Sequence, residues 1–343
     1  MSAGADGKEM RFLVVGLGSM GKRRVRNLKA LGFSDILGFD PRPDRRDEAE
    51  QKYGIATIAD WTEAEARSVD AWIISTPPDT HLDFGFKALE RGTAFFTEAN
   101  VTDDRGPEMI RRLGETGIVG CPSCTMRYYP GPKKIRELIG SGAIGKPLLL
   151  TYHSGQWLPD WHPWESYKDF YVSKRATGAC REIVPFELTW LREWFGDVAE
   201  IACMRGKLTD LDCDIDDAYQ LLLKFSSGML GHMLIDVISR PAFRVFRLNG
   251  SQGSIEWSHA ENTVKLWTAA AEANKYDLEV FDLGSGTVEA GYIHAEEPYV
   301  QEMRDFVAAV RRERPWPHSF AMDEEVLDLL VKAEASSEAG AFR

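Results

Sequence analysis

Gly16, Gly18 and Gly21 in "GLGSMG" stand in the spacing of a turn that can cradle a pyrophosphate. The first glycine permits a tight turn, the second lets the backbone approach the phosphates, and the third lets the following helix pack close to the preceding strand. Ser19 and Met20 open that helix, whose N-terminal amides favour negative charge. The glycine pattern alone is a weak signal. Here, however, "DILGFD" ends in Asp40, 19 residues after Gly21, where a carboxylate can accept hydrogen bonds from both adenosine ribose hydroxyls. The two features together predict a dinucleotide site. The Asp40 charge opposes a 2'-phosphate a few ångströms away and so favours NAD. In the "PRPDRR" that follows, Arg42, Arg45 or Arg46 either offers NADP a cation or simply begins a solvated helix.

A second concentration of reactive side chains is "YHSGQWLPDWHPWESYKDFYVSKR", residues 152–175, which gathers His153, His162, Tyr167, Tyr171 and Lys174 with Trp157, Trp161 and Trp164. Imidazole exchanges protons near neutral pH unaided, whereas Tyr171 and Lys174 need a lowered pKa. His153 and His162 therefore lead the candidate proton carriers. The tryptophans offer flat apolar faces for sugar rings to stack on, and they are equally residues that pack cores and subunit interfaces. "TDLDCDIDD", residues 209–217, crowds five aspartates but lacks the glycine and terminal glutamate of a calcium loop, so it reads as a solvated loop. Cys121 and Cys124 form the only close cysteine pair, and Cys180, Cys203 and Cys213 are widely spaced. That pattern suits buried thiols and no metal site.

Around these residues, strands and helices alternate. "RFLVVG" is a strand, "SMGKRRVRNLKALG" a helix, "DILGFD" a strand, "DAWIIS" a strand, "THLDFGFKALERG" a helix, "AFFTEA" a strand, 104–115 a helix and "GIVGC" a strand. Such alternation predicts a doubly wound parallel sheet over residues 1–125. Beyond it come a helix through "PKKIRELIGSG" and longer strands such as "AYQLLLKF", "MLGHMLIDVI" and "TVKLWT". These predict an α+β domain over 126–343 with an open mixed or antiparallel sheet. Two helices, "EPYVQEMRDFVAAVRRE" and "MDEEVLDLLVKAEASSE", end the chain.

The 343 residues suit two domains, and 44% hydrophobic with 27% charged residues is ordinary for a packed chain. Acidic residues outnumber basic ones by 53 to 41, a net charge of -12 that repels phosphate backbones and excludes nucleic acid as the main partner. No apolar run approaches the roughly 20 residues needed to span a bilayer. With no secretory signal and an odd number of cysteines, the chain reads as cytoplasmic.

GLGSMG, Asp40, "STPPDTH" and the strand ending in "EAN" together resemble the Gfo/Idh/MocA oxidoreductases. The resemblance extends through "YYPGPKKIRELIGSGAIGKP" and "LREWFGD". It implies a Rossmann domain and an open-sheet substrate domain. It also implies that Thr76, Pro77, Pro78 and His81 line the nicotinamide side and that Glu98 sits beside the ring, followed by Asn100. Two departures stand out. The family's Glu-Lys-Pro is here Glu98, Ala99 and Asn100, so the usual lysine is absent. On the helix within "TGACREIVPFELTWLREWFGD", the family's Asp and His, four residues apart, are Glu182 and Phe186. Alanine and phenylalanine move no protons, so the carrier is expected in the 152–175 block or at Glu182. The resemblance implies hydride transfer between NAD(P) and a hydroxyl or ketone of a sugar derivative, in a homodimer or homotetramer. The 152–175 block is similar to members in nucleotide-sugar and nonulosonic acid pathways. The missing lysine and histidine also suit a dinucleotide-binding sensor or scaffold, and an NAD-assisted hydrolase or lyase is a third reading.

Overall fold

The computed structural model describes residues 9–101, 104–162, 164–272, 274–284, 286–289 and 295–340. Two compact units divide the chain: residues up to Ser123 together with Tyr299–Met322, and Cys124–Pro298 together with residues from Asp323 onward.

The first unit runs β1 (Phe12–Val15), α1 (Ser19–Ala30), β2 (Ile36–Phe39), α2 (Pro43–Tyr53), β3 (Ala56–Ile58), α3 (Trp61–Glu65), β4 (Ala71–Ile74), α4 (His81–Glu90), β5 (Ala94–Thr97), α5 (Gly106–Thr116) and β6 (Gly120–Pro122). Its strands pair in the order β3-β2-β1-β4-β5-β6, all parallel. That is the doubly wound arrangement the alternation predicts, with its ligand crevice at the carboxyl ends of the strands. β1 shows why: all of "FLVV" is buried, with Phe12 and Val14 in one apolar layer and Leu13 and Val15 in the other. A strand covered on both faces reads as a continuous apolar run.

The second unit contains α6 (Pro130–Gly140), β7 (Pro147–Gly155), α7 (Cys180–Phe195), β8 (Val198–Gly206), β9 (Ala218–Phe225), β10 (Leu230–Asp236), β11 (Phe243–Gly250), β12 (Gly253–Ser258), β13 (Thr263–Ala269) and β14 (Tyr276–Asp282). Its eight strands order as β14-β13-β12-β11-β7-β10-β9-β8 and are antiparallel except for β7 with β10. The mixed sheet has two unlike faces. Tyr219, Leu221, Leu223 and Phe225 of β9 point into the core with Leu188 and Trp190 of α7. On the other face Leu222, Leu230, Val245 and Val280 stay exposed.

Two helices close the chain, α8 (Glu297–Val310) and α9 (Phe320–Glu338). A single division at residue 125 places both in the second domain, yet residues 299–322 belong to the first unit. The reason is packing. Phe306 meets Phe96 of β5, the Trp316 indole donates to the Pro122 carbonyl, and the fully buried Glu302 pairs with Arg24 of α1. Among the described residues, no helix is long and apolar enough to cross a membrane.

Candidate active site

In the first unit the three glycines differ in what demands them. Gly16 has φ +89, and a Cβ there meets the Ser75 carbonyl oxygen at 2.7 Å; a Cβ on Gly21 runs into the Gly16 carbonyl oxygen. Both are required by the fold itself. Gly18 has φ -67 and ψ -163, a conformation open to any residue, and its Cβ meets only the tip of Arg45 at 3.4 Å. Chain geometry therefore does not require a glycine at 18, whereas a ligand lying over the turn does. α1 begins immediately after, with no side-chain cap and no acid in its first turn, so Ser19 and Met20 present a helix N-terminus suited to an anion. The Asp40 carboxylate is buried beside it, accepting from the Leu17 amide at 2.8 Å and the Arg42 amide at 2.9 Å. The Arg42 side chain turns away to Asp44.

The cradle fits a dinucleotide, and it makes a prediction: Gly18→Val should abolish NAD binding by calorimetry while the thermal transition stays near that of the parent. Retained affinity would rule out a phosphate path over this turn.

The "STPPDTH" turn is tied to the end of β5 through buried His81. Its Nδ1 lies 3.0 Å from Asn100 Oδ1 and its Nε2 lies 2.9 Å from the Thr76 carbonyl oxygen. The carbonyl can only accept, so Nε2 carries a proton and donates to Thr76, while Nδ1 faces the Asn100 side-chain amide. His81 thus holds Thr76, Pro77 and Pro78 in place, and does so without reaching solvent. Glu98 is also committed. Both its oxygens take Arg24, at 2.7 and 2.6 Å, and the Ser75 hydroxyl donates to one of them at 2.9 Å. Burial alone lowers the Arg24 pKa, but Glu98 and Glu302 overturn that effect and raise it above the ordinary arginine value. Arg24 and Glu302 were not legible as site residues, although each places a charge within the apolar stripe of its helix.

In the second unit the residues singled out from sequence separate. Tyr171 and Glu182 come together: the phenol donates to Glu182 Oε1 at 2.7 Å. Glu182 lies in the first turn of α7, where a helix N-terminus favours its charge. The residue before that helix, Ala179, holds φ 55 and ψ -135, a conformation rare outside glycine and costly by about 1–3 kcal/mol. Strain of this kind persists where surrounding structure enforces it. Here the turn is packed tightly, because a Cβ on Gly178 would strike the Val172 backbone.

His153 is on the opposite face of the sheet from this pair. Along β7, Leu150 and Tyr152 face the core, where Tyr152 packs on Trp190 of α7. His153 alternates outward and pairs with Asp236 at 2.6 Å. Burial pushes the Asp236 carboxyl up, and hydrogen bonds from His153, Ser239 and the Ile238 and Ser239 amides outweigh it, holding the pKa below the usual range. His153 thus stands on the sheet face opposite Tyr152, engaged by Asp236, and is not brought into contact with the Tyr171–Glu182 pair. His162 is stacked between Trp164 and Phe170, with ring centroids 5.0 and 4.7 Å away, and sits 3.2 Å from Glu165. Lys174 is exposed and bridges to Asp214 through its backbone.

Nor do the tryptophans form one platform. Trp157 carries the Arg240 guanidinium 3.5 Å from its ring centre, Trp161 lines a pocket with Gln156, Ile183, Arg244 and His259, and Trp164 covers His162. His259 is neutral near pH 7, since burial and then Arg244 lower its pKa to about 4. The aspartate cluster also proves to be more than a solvated loop. Asp212 pairs with Lys168 at 2.6 Å, while Asp214 and Asp216 hold Arg175 at 2.9 and 2.7 Å. These pairs fasten the chain on both sides of Tyr171.

Comparison with known proteins agrees with this architecture. The model of the oxidoreductase family's NAD-binding Rossmann fold matches residues 10–116, and that of the GFO/IDH/MocA C-terminal domain matches 133–256. The chain belongs to the GFO/IDH/MocA oxidoreductase family. It is 30% identical over 156 residues to scyllo-inositol 2-dehydrogenase (NAD(+)) of Bacillus subtilis, covering 43% of this chain and 44% of that protein. It is 28% identical over 153 residues to 2,7-anhydro-N-acetylneuraminate hydratase of Mediterraneibacter gnavus, covering 44% and 41%. Each match thus spans less than half of the relative's length. Levoglucosan dehydrogenase in complex with NADH shares the fold at a TM-score of 0.82, 19% identity, and coverage of 96% of this chain and 97% of that one.

Proposed function

We propose that this protein is an NAD-dependent oxidoreductase acting on a secondary hydroxyl, or the corresponding ketone, of a sugar or cyclitol, with Tyr171 and Glu182 replacing the missing lysine and histidine. The bound nicotinamide supplies hydride acceptance and donation. The chain must then move one proton. In alcohol oxidation the substrate O–H proton passes to the Tyr171 oxygen as the Tyr171 proton passes to Glu182; ketone reduction reverses both transfers. The observation that carries this reading is the 2.7 Å hydrogen bond from Tyr171 to Glu182. The strained Ala179 turn supports it, since strain of this kind clusters at functional sites. So does the chemistry of Ala99 and Phe186, which leaves Glu182 as the surviving acid of the family's pattern.

Incubating the protein with NAD and a panel of inositols, anhydro-sugars and nucleotide sugars should give cofactor-linked reduction with at least one member, followed by nicotinamide absorbance. Binding of NAD with no turnover across the panel favours a sensor or scaffold, the reading suggested by Ala99. Product formed without net cofactor reduction favours NAD-assisted hydration or elimination. The same proposal includes a homodimer or homotetramer in which a second copy covers Leu222, Leu230 and Val245 on the open sheet face.

A further inference from the structure

In the second unit, Ser154, Gln156, Trp161, Arg244 and His259 line a cavity of about 40 Å³, room for about three waters or for a planar group such as a carboxylate. Arg244 is its cation. It occupies an inward position of β11, in the row of Phe246 and Leu248, where a charge is costly unless paired. The fully buried Glu187 of α7 pairs with it, taking Nε at 2.9 Å, while the other Glu187 oxygen takes the Trp190 indole at 2.9 Å. Burial lowers the Arg244 pKa, and Glu187 followed by the Tyr152 and Tyr129 phenols outweighs it, so the guanidinium stays charged. Its two Nη groups form no hydrogen bond among the described residues, yet neither is sealed off from the cavity that Arg244 lines. The same wall holds a second unused donor, the Trp161 indole N–H, which is buried with no acceptor among the described residues. The acid beside them, Asp236, is already filled: His153 and the Ser239 hydroxyl take Oδ2, and the Ile238 and Ser239 amides take Oδ1. Buried donors without acceptors cost about 1–3 kcal/mol each, so this wall fits a ligand that brings acceptor oxygens.

We propose that the cavity binds the carboxylate of a sugar acid, with the paired Nη groups of Arg244 as its fork and the Trp161 indole as a further donor. The inference narrows the substrate class of the oxidoreductase reading above and rests on it. With Nε held by Glu187, the end edge of the guanidinium presents two parallel donors, the geometry that two carboxylate oxygens match. Glu187 is thus a positioning residue, fixing the plane in which that edge lies. Ile183 of the same wall follows Glu182 in the first turn of α7, so a sugar anchored here by its acid is held at the end of the helix that carries the dyad.

The test uses the full chain saturated with NAD, and three sugar acids, D-glucuronate, D-galacturonate and N-acetylneuraminate, each compared by calorimetry with its amide, which keeps the ring and loses the charge. The parent should bind at least one acid about tenfold to a hundredfold more tightly than its amide, the range for a hydrogen bond to a charged group. Arg244→Met alone leaves Glu187 buried without its cation, so the deciding variant combines Arg244→Met with Glu187→Gln and removes both charges together. With a thermal transition near that of the parent, it should bind acid and amide equally and hold NAD as before. Arg244→Lys keeps a cation against Glu187 but loses the planar fork, and should lose most of the same preference. No binding of any of the three acids, equal affinity for acid and amide in the parent, or a preference retained in the double variant and in Arg244→Lys overturns the role of Arg244; turnover of neutral sugars then leaves the oxidoreductase reading standing. Binding of NAD with no turnover of any sugar, acid or neutral, overturns that reading, and the inference with it.

Discussion

Tyr171→Phe and Glu182→Gln should each lower turnover by about 10²–10⁴-fold while NAD affinity stays near that of the parent, because their contribution is made at the reacting oxygen. Both changes keep the shape of the side chain. The phenol is lost in the first, and in the second an amide replaces the carboxylate that must accept the proton. Residues that act as a unit are not additive, so the double variant should be about as slow as the slower single one. His153→Gln is the informative contrast: its side chain points to the other face of the sheet and binds Asp236, so turnover should be retained. If both dyad variants kept full turnover with a substrate identified from the panel, the pair would be structural. If His153→Gln were the slow variant, the assignment of faces would be contradicted in function.

The Tyr171–Glu182 pair shows how far the sequence can be read. Both residues are recognisable as candidates, since one stands in a block rich in titratable groups and the other at a family position. Their contact is not readable, because it depends on a turn through Gly178 and Ala179 whose strained geometry leaves no pattern in residue types. The orientation of His153 is a different case. Strand alternation does place it opposite Leu150 and Tyr152, but Leu149 on its own face is apolar too, so the pattern does not say which face helices cover. The Rossmann half is clearer: the glycine spacing and the terminal acid are local, and parallel strands buried on both sides are recognisable as apolar runs. What stays hidden there is long-range. The return of residues 299–322 to the first unit hinges on Glu302, and an acid in an apolar stripe has no visible partner until the fold brings Arg24 to it.

That partnership yields the largest stability effect expected. Arg24 is fully buried, with Nε and Nη2 on Glu98 and Nη1 on Glu302 at 2.9 Å. Removing one member of a buried ion pair leaves an uncompensated charge, so Arg24→Met should cost about 3–5 kcal/mol, read as a fall in the urea midpoint at constant slope. The loss would come from two carboxylates left without their shared cation, and not mainly from lost packing, since Met fills much of the same volume. A second substitution separates those causes. In the parent, Glu302→Gln should destabilise, because it weakens a charge-assisted contact to Arg24 and to the Ser123 hydroxyl. In the Arg24→Met background the same change removes one of the unpaired charges and should recover stability. The sign of the effect therefore inverts between backgrounds, a coupling that packing alone does not produce. A midpoint for Arg24→Met within about 0.5 kcal/mol of the parent, the range of an ordinary surface change, would mean that Glu98 and Glu302 find other partners and that the network does not hold α8 to the dinucleotide unit.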